Sequence, residues 1–275
     1  MTFRYLPRVQ RLIDESRCVM VTFGGGTNGT AMLIEMVKRG EPRPHAIIFA
    51  DTGNEHPHTY AHIKVFSLWL VQHGYPPITI VRRVRETLYE FCTRLSVLPA
   101  LAYGWKTCSL KFKVEPQQKW ANNDEGCRAE WNAGRLVTKI IGFDADEEHR
   151  VRDSDNKYVN RYPLIEWGMD REACKRAILG AGLKLPGKSS CWFCPNMEKK
   201  EIVALRVTYP HLLKLALKME AKAIPNLRPD SKVKGLGRSY SWRDFLKGKK
   251  VKEIETPMPC DCYDGAAEAY AEERV

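Results

Sequence analysis

The chain has 275 residues, of which 44% are hydrophobic and 28% charged, and its net charge is +11. This composition is that of a globular protein with a sizeable core, and it excludes a disordered or fibrous chain. No apolar run is long enough to cross a bilayer and residues 1–7 lack a secretory profile, so we expect a cytoplasmic protein with no membrane partner. The charge suits nucleotides, tRNA or DNA as partners, although solvated basic faces explain it equally well.

Strand and helix patterns alternate through the first half of the chain, and helical patterns follow. The helical patterns cover residues 6–15, 30–39, 59–73, 85–95, 170–181, 198–207 and 211–223. The strand-like apolar runs cover residues 18–23, 45–50, 78–81 and 136–143. This alternation predicts an α/β fold with a parallel, doubly wound sheet, in which ligands bind beyond the carboxyl ends of the strands.

A glycine-rich loop lies between the first strand and the next helix, in the segment Phe23-Gly24-Gly25-Gly26-Thr27-Asn28-Gly29-Thr30. Consecutive glycines let the backbone approach a phosphate closely, and the following helix directs free N–H groups at it. The loop is not a Walker P-loop, because no Gly-Lys-Ser/Thr follows at the required spacing. The pattern therefore favours an anion-binding loop over a plain tight turn.

Two further loops follow predicted strands. Residues 51–57 read Asp-Thr-Gly-Asn-Glu-His-Pro, which places a carboxylate at the end of a strand; a capping turn is the simpler interpretation. Residues 142–150 combine acidic and basic groups, as a solvated loop also would. Neither loop defines a function by itself.

Taken together with two more segments, these loops resemble the phosphoadenosine phosphosulfate (PAPS) reductase family of the PP-loop superfamily of adenine-nucleotide α-hydrolases. The resembling segments, in chain order, are Gly24–Gly29, Asp51–Thr59, Trp105–Pro116, Gly142–Arg150 and Tyr162–Trp167. The resemblance runs from about Cys18 to Cys194. It implies a PP-loop (HUP-like) nucleotide-binding α/β domain, which we place over 1–165, and a helical, cysteine-bearing region over 166–275.

The resemblance also implies which residues bind the adenine nucleotide, which would be ATP or a sulfonucleotide such as PAPS or adenylylsulfate (APS). These residues are Phe23, Gly24, Gly25, Gly26, Thr27, Asn28, Gly29, Thr30, Asp51, Thr52, Gly53, Glu55, Lys106 and Gly142. Catalytic roles are implied for Asn28, Lys111 and Arg150, and Lys106, Lys111 and Arg150 are candidate phosphate clamps. Where ATP-splitting relatives have Ser, Asp and Ser, this chain has Gly24, Asn28 and Gly29. That replacement removes a carboxylate available to Mg²⁺.

Nine cysteines in a reducing compartment are not expected to form a disulfide framework. Cys191 and Cys194 have the C-x-x-C spacing that lets two thiolates reach one metal, with a thioredoxin-type redox pair as the rival interpretation. By resemblance to adenylylsulfate reductases, Cys108 joins them in holding a [4Fe–4S] cluster, with Cys260 or Cys262 as the fourth ligand. Zinc is the alternative metal, and cysteines that simply pack without metal are a third interpretation.

The implied function is an adenine-nucleotide-dependent enzyme, either an oxidoreductase that reduces a sulfonucleotide or a transferase that uses ATP for adenylylation and sulfur transfer. The Glu-Cys-Gly-Leu-His motif of sulfonucleotide reductases does not occur in the chain. The chain is also similar to the sulfur-inserting component of DNA phosphorothioation systems, which implies a DNA or tRNA acceptor and a sulfur or electron donor protein. The alternative, favoured by the degenerate first loop, is a non-catalytic nucleotide- or nucleic-acid-binding protein on the same scaffold.

Overall fold

The structure is a computed structural model that describes residues 3–152 and 154–247. Its strands are β1 (Val19–Phe23), β2 (Ala46–Asp51), β3 (Ile78–Arg82), β4 (Val137–Ile141) and β5 (Tyr158–Arg161). Its α-helices are α1 (Pro7–Glu15), α2 (Thr27–Lys38), α3 (Pro57–Gln72), α4 (Leu88–Leu95), α5 (Thr107–Ser109), α6 (Glu115–Asn123), α7 (Glu125–Asn132), α8 (Pro163–Glu166), α9 (Arg171–Gly180), α10 (Lys199–Thr208), α11 (Pro210–Ala223) and α12 (Trp242–Leu246). A π-helical turn, Leu110–Val114, joins α5 to α6.

The strands form one sheet in the order β3-β2-β1-β4-β5, and every neighbouring pair is parallel. This order is that of doubly wound nucleotide-binding sheets, in which strand order reverses between β1 and β4. The predicted α/β class with a parallel, doubly wound sheet is therefore confirmed. The reversal places a crevice beyond the carboxyl ends of β1 and β4.

Several elements begin at other residues than the sequence patterns predicted. Helix α2 begins at Thr27 rather than residue 30, so the glycine loop is shorter than expected and its last residues form the first helical turn. Helix α4 begins after Thr87, whose hydroxyl accepts the Glu90 N–H (3.2 Å) while the Glu90 carboxylate accepts the Thr87 N–H (2.7 Å). Strand β5 was not predicted, because four residues at a sheet edge carry little periodic signal.

Buried side chains form a core on the sheet and a second core beside it. The first core joins β1, β2, α2 and α3, and α9 packs against α2 within it. The second core gathers α4, the π-helical turn, the C-x-x-C segment and helices α10 to α12. The sheet core thus extends through α9, and the domain boundary at residue 165 stays a prediction.

Among residues 3–152 and 154–247, no helix combines the length and apolarity required to span a bilayer.

Candidate active site

The glycine loop lies at the carboxyl end of β1, on the reversal of strand order. Gly25 has φ +72°, and a Cβ atom there would lie 3.1 Å from Thr59 Cγ2 and 3.2 Å from Phe49 Cε2, so both conformation and space require glycine. Gly26 is the N-cap of α2 and has no side chain to cap the helix. The first-turn amides and the positive end of the helix dipole therefore face the crevice without a side-chain cap, which is the geometry that binds phosphate.

Buried polar atoms without partners surround this loop. Within the described part of the chain, no hydrogen-bond partner is found for Thr59 Oγ1, Ser190 Oγ or His58 Nδ1. Thr59 borders Gly25, and Ser189, the neighbour of Ser190, donates its hydroxyl hydrogen bond to the Gly24 carbonyl. Leaving a buried polar group unpaired costs about 1–3 kcal/mol, so such atoms beside an anion-binding turn indicate a ligand that pairs with them.

The second predicted loop, residues 51–57, is held in place by its own carboxylate. Asp51 Oδ1 accepts hydrogen bonds from the Gly53 N–H (2.7 Å) and the Tyr60 hydroxyl (2.7 Å), and Tyr60 in turn accepts the Glu55 N–H (3.2 Å). Burial, followed by the charge of Asp51, raises the pKa of Tyr60 well above its ordinary value. Asp51 thus shapes the turn that presents the following residues, in agreement with the capping interpretation.

Glu55 links this loop to the cysteine pair. Its buried Oε1 accepts a hydrogen bond from the Thr52 hydroxyl (3.2 Å) and lies 3.4 Å from Lys113 Nζ. The Thr52 hydroxyl is 3.1 Å from Cys191 Sγ. The charges of Glu55 and Cys191 raise the pKa of Lys113, although desolvation opposes them. A carboxylate, a hydroxyl, an ammonium and a thiol therefore form one contiguous group at the second loop.

Lys113 is a candidate site residue that the sequence did not predict. The segment contains Lys106, Lys111 and Lys113, and nothing in the residue types distinguishes them. The π-helical turn determines which of these lysines reaches the second loop, because its wider winding changes which side chains share a face. Such turns are frequent at functional sites. Of the three lysines, Lys113 reaches Glu55, while Lys106 is exposed.

Lys111 lines a separate, strongly basic cavity of about 510 Å³ beyond the carboxyl end of β3. Its lining residues are Arg82, Arg83, Val84, Arg85, Lys111, Glu115, Pro116 and Lys119. The cavity adjoins the second loop, because Arg82 is the register partner of Asp51 across β2 and β3. Its volume lies in the range of small-molecule sites, and its cations suit an anionic group.

The C-x-x-C segment packs against the second loop. Glu55 and Cys191 form an antiparallel bridge, and the Trp192 N–H donates to the Asn54 carbonyl (3.1 Å). Burial raises the pKa of Cys191 well above its ordinary value, and Glu55 adds to the rise. Burial also raises the pKa of Cys194. Thiols held in the protonated form are poor nucleophiles, whereas a metal ion binds such thiols by displacing their protons.

Cys108 also lies close enough to act on Cys194, since its charge contributes to the raised pKa of the Cys194 thiol. The sulfur atoms of Cys108, Cys191 and Cys194 do not all lie within 4.8 Å of one another in the described residues. The choice between a [4Fe–4S] cluster and a zinc ion therefore stays a prediction. Cys260 and Cys262 lie outside the described residues.

Asn28 is the centre of a polar network in the first turn of α2. Its Nδ2 donates to Asp144 Oδ2 (2.8 Å) and Glu147 Oε2 (3.1 Å), and its Oδ1 accepts from Arg171 (2.6 Å). Arg150 donates to the other oxygen of Glu147. Asp144 Oδ1 is buried and has no partner in the part of the chain that the structure describes. Both oxygens of Glu147 are therefore paired, whereas Asp144 keeps one oxygen that has no partner in the described residues and is of the type that Mg²⁺ prefers.

The third loop closes on the first turn of α2. A Cβ atom at Gly142 would lie 3.0 Å from Gly29 Cα, so backbone meets backbone between the two loops. The structure therefore brings together the predicted residues of all three loops, along with Cys191. Lys111 joins them through the basic cavity, and Lys106 does not approach the described site.

No family model matches the chain, and no curated protein matches it. Among solved structures, the chain is similar to the crystal structure of PAPS reductase from Candida auris in its phosphate complex, with a TM-score of 0.45 and 19% identity over 67% of this chain and 87% of that chain. At this level of similarity the comparison assigns no role to individual residues.

Proposed function

We propose that the protein is an enzyme that binds an adenine nucleotide at the carboxyl edge of its sheet and uses it in sulfur chemistry. The observation that carries the proposal is the uncapped start of α2 behind Gly25, bordered by the buried and unpaired hydroxyl of Thr59 among the described residues. The resemblance of five motifs to the PAPS reductase family supports the adenine nucleotide as the ligand.

Each part of the site has a task in this proposal. The amides of Gly26 and the first turn of α2 hydrogen-bond the phosphate or sulfate oxygens, and their fixed dipoles stabilise charge that develops there. Where the nucleotide is ATP, Asp144, through its unpaired Oδ1, and the neighbouring Glu147 would hold Mg²⁺. Lys111 and its neighbouring cations at the end of β3 bind a further anionic group of the substrate or acceptor.

Cys191 and Cys194, with Cys108, would hold an iron–sulfur cluster, which supplies electrons or an iron site for sulfide when it is bound. The Thr52 hydroxyl contacts the Cys191 thiol, and the Lys113 ammonium lies near it. Both groups would therefore adjust the charge around this cluster ligand. Reduction of a sulfonucleotide releases sulfite and a nucleotide. Adenylylation instead proceeds by in-line attack of the acceptor on the α-phosphate, with pyrophosphate leaving.

The test of nucleotide binding is Thr59→Val, measured by calorimetry with ATP, APS and PAPS. If the hydroxyl pairs with a charged ligand, its loss costs about 1.5–3 kcal/mol, or roughly tenfold to a hundredfold in affinity. The matched control is Thr138→Val, because Thr138 is also a buried threonine whose hydroxyl has no partner in the described residues, but it lies at the other end of the sheet. Equal affinities for the two variants and the unmodified protein would refute the proposed site.

Product analysis separates the two reactions from the alternative of a non-catalytic binder. The anaerobically reconstituted protein is incubated with each nucleotide, a reductant, a sulfide source and a DNA or tRNA acceptor, and sulfite, AMP and pyrophosphate are quantified. Sulfite indicates reduction, whereas AMP with pyrophosphate indicates adenylylation. Tight binding without either product would establish the binder, which the loss of Ser, Asp and Ser from the first loop favours.

A further inference from the structure

A second cluster of metal-binding side chains lies at the opposite, amino edge of the sheet. Cys18 precedes β1, His45 precedes β2, and Asp124 is the N-cap of α7, whose first turn contains Cys127. One sulfur, one imidazole nitrogen and one carboxylate oxygen from the first three residues all lie within 4.8 Å of one another. Distant parts of the chain thus bring three different donor types to one point.

Cys127 supplies a fourth donor. Its Sγ is 3.9 Å from Cys18 Sγ, close to the separation of about 3.8 Å between two thiolates on a tetrahedral zinc ion with Zn–S bonds of about 2.3 Å. His45 Nε2 lies 2.9 Å and 3.0 Å from the two oxygens of Asp124. Tetrahedral zinc separates such atoms by roughly 3.3 Å, so a small movement of the partly exposed His45 ring is sufficient.

The backbone around these donors is held by the sheet. The His45 N–H donates to the Val19 carbonyl (2.8 Å), and the Thr138 N–H donates to the Cys18 carbonyl (3.0 Å). Asp124 Oδ1 accepts the Cys127 N–H (2.9 Å), and this hydrogen bond fixes the orientation of the carboxylate. A Cβ atom at Gly126 would lie 2.7 Å from the His45 ring, so glycine makes room for the imidazole.

We propose that Cys18, His45, Asp124 and Cys127 bind a zinc ion at the amino edge of the sheet. Sulfur, nitrogen and oxygen donors in this combination suit Zn²⁺, and four protein ligands make a closed, structural site. Binding displaces the thiol protons of Cys18 and Cys127 to solvent, and no redox step is involved. The ion enters past His45, the most exposed of the four side chains, and ties α7 to the starts of β1 and β2.

This site is independent of the proposed enzymatic function, because it shares no residue with the carboxyl edge.

The test is zinc content and affinity of the full chain, measured by equilibrium dialysis against buffered Zn²⁺ and by elemental analysis. The unmodified protein should bind one zinc more than His45→Ala, and zinc should bind at this site at least about tenfold more weakly in the variant. His73→Ala is the matched control, since His73 is an exposed histidine on the same protein and far along the chain from these donors. It should leave the zinc content unchanged.

Cobalt separates this site from the cysteines of the C-x-x-C segment. Co²⁺ bound by thiolates gives a near-ultraviolet charge-transfer band, and Cys18→Ser should weaken that band in a Cys191→Ser, Cys194→Ser background. If that background does not fold, the difference spectrum between the unmodified protein and His45→Ala provides the same measurement. Equal metal content in those two proteins overturns the proposal, as does a Cys18–Cys127 disulfide mapped in protein alkylated under anaerobic, reducing conditions.

Discussion

Each end of the sheet buries a glutamate, and the two glutamates differ in how completely their oxygens are paired. At the carboxyl end, the side chain of Glu55 is 0% exposed, its only ion-pair partner is Lys113 at 3.4 Å, and its Oε2 has no partner in residues 3–152 and 154–247. At the amino end, Glu130 is 5% exposed and paired on both oxygens, to the Arg135 guanidinium (2.9 and 3.1 Å) and to the Arg17 N–H (3.1 Å).

The unpaired buried atoms follow the same division. Beside Glu55, the carboxyl end contains such atoms on His56, His58, Thr59, Asp144 and Ser190, whereas at the amino end the described residues show only Thr138. Folding alone favours pairing every buried polar group. The comparison therefore indicates that, Thr138 excepted, the buried polar side chains described at the amino end have partners within the protein, whereas those at the carboxyl end lack partners that a ligand would supply.

Glycine-to-alanine substitutions at the two ends of the sheet should give the largest difference in stability and in nucleotide binding. Gly25→Ala should destabilise the protein by about 2–3 kcal/mol, because it combines a positive φ with close contacts to Thr59 and Phe49, and it should abolish nucleotide binding. Gly134→Ala at the amino end also has a positive φ (71°) but open space, so it should cost about 1 kcal/mol and leave binding unchanged. Denaturant unfolding and calorimetry measure both effects. Equal costs for the two variants would contradict the packed geometry of the glycine loop.

Neutralising the two glutamates sharpens the comparison. Glu130→Gln should lower the free energy of unfolding by about 1–2 kcal/mol, since it weakens charge-assisted hydrogen bonds to a partly exposed arginine. Glu55→Gln should change stability by less than about 0.5 kcal/mol, because it removes a buried charge with an unpaired oxygen, and Lys113, whose side chain is 37% exposed, is not left as a fully buried charge.

Activity should follow the opposite order in these two variants. Glu55 contacts Lys113 directly and Cys191 through Thr52, so in the proposed enzyme Glu55→Gln should reduce turnover by about tenfold. Glu130→Gln should not affect turnover measured well below its unfolding temperature. A large stability loss in Glu55→Gln with normal turnover would show that Glu55 serves the fold rather than the site.

The last expected effect, which develops only in acid, is the pH dependence of stability due to His62. Burial, assisted by the charge of His58, lowers the pKa of His62 to about 4 from about 6.5. Because the folded state resists protonation, this histidine contributes full stability above pH 6.5 and loses it as the pH falls towards 4. His62→Phe should flatten the stability curve in that window by up to about 1.4 kcal/mol per pH unit.

The surroundings of His62 should accommodate the phenylalanine ring of the His62→Phe variant. The His62 ring stacks on Phe66 at 5.6 Å, and Thr30, which contacts His62 Nε2 at 2.9 Å, keeps the Gly26 carbonyl as its acceptor (2.9 Å). Urea unfolding from pH 4 to 8 gives both curves, and they should run parallel above pH 7. A curve for the variant that is as steep below pH 6.5 as that of the unmodified protein would mean that His62 does not carry the effect.

The sequence by itself determined the fold class and the loops that meet at the carboxyl end of the sheet. The alternation of helical and strand-like patterns predicted the parallel sheet, because burial on both faces requires near-continuous apolar strands. Loops at the carboxyl ends of β1, β2 and β4 were recognisable from glycines and charges, and their meeting follows from the parallel arrangement of the strands.

Tertiary structure alone decided which side chains meet. Thr59, Ser190 and Lys113 are ordinary residues in the sequence, and their importance comes from burial without a partner or from contact with Glu55. The cluster of Cys18, His45, Asp124 and Cys127 was invisible for the same reason. Its members are up to 109 residues apart along the chain, and no local pattern records a contact that strand order and helix packing create.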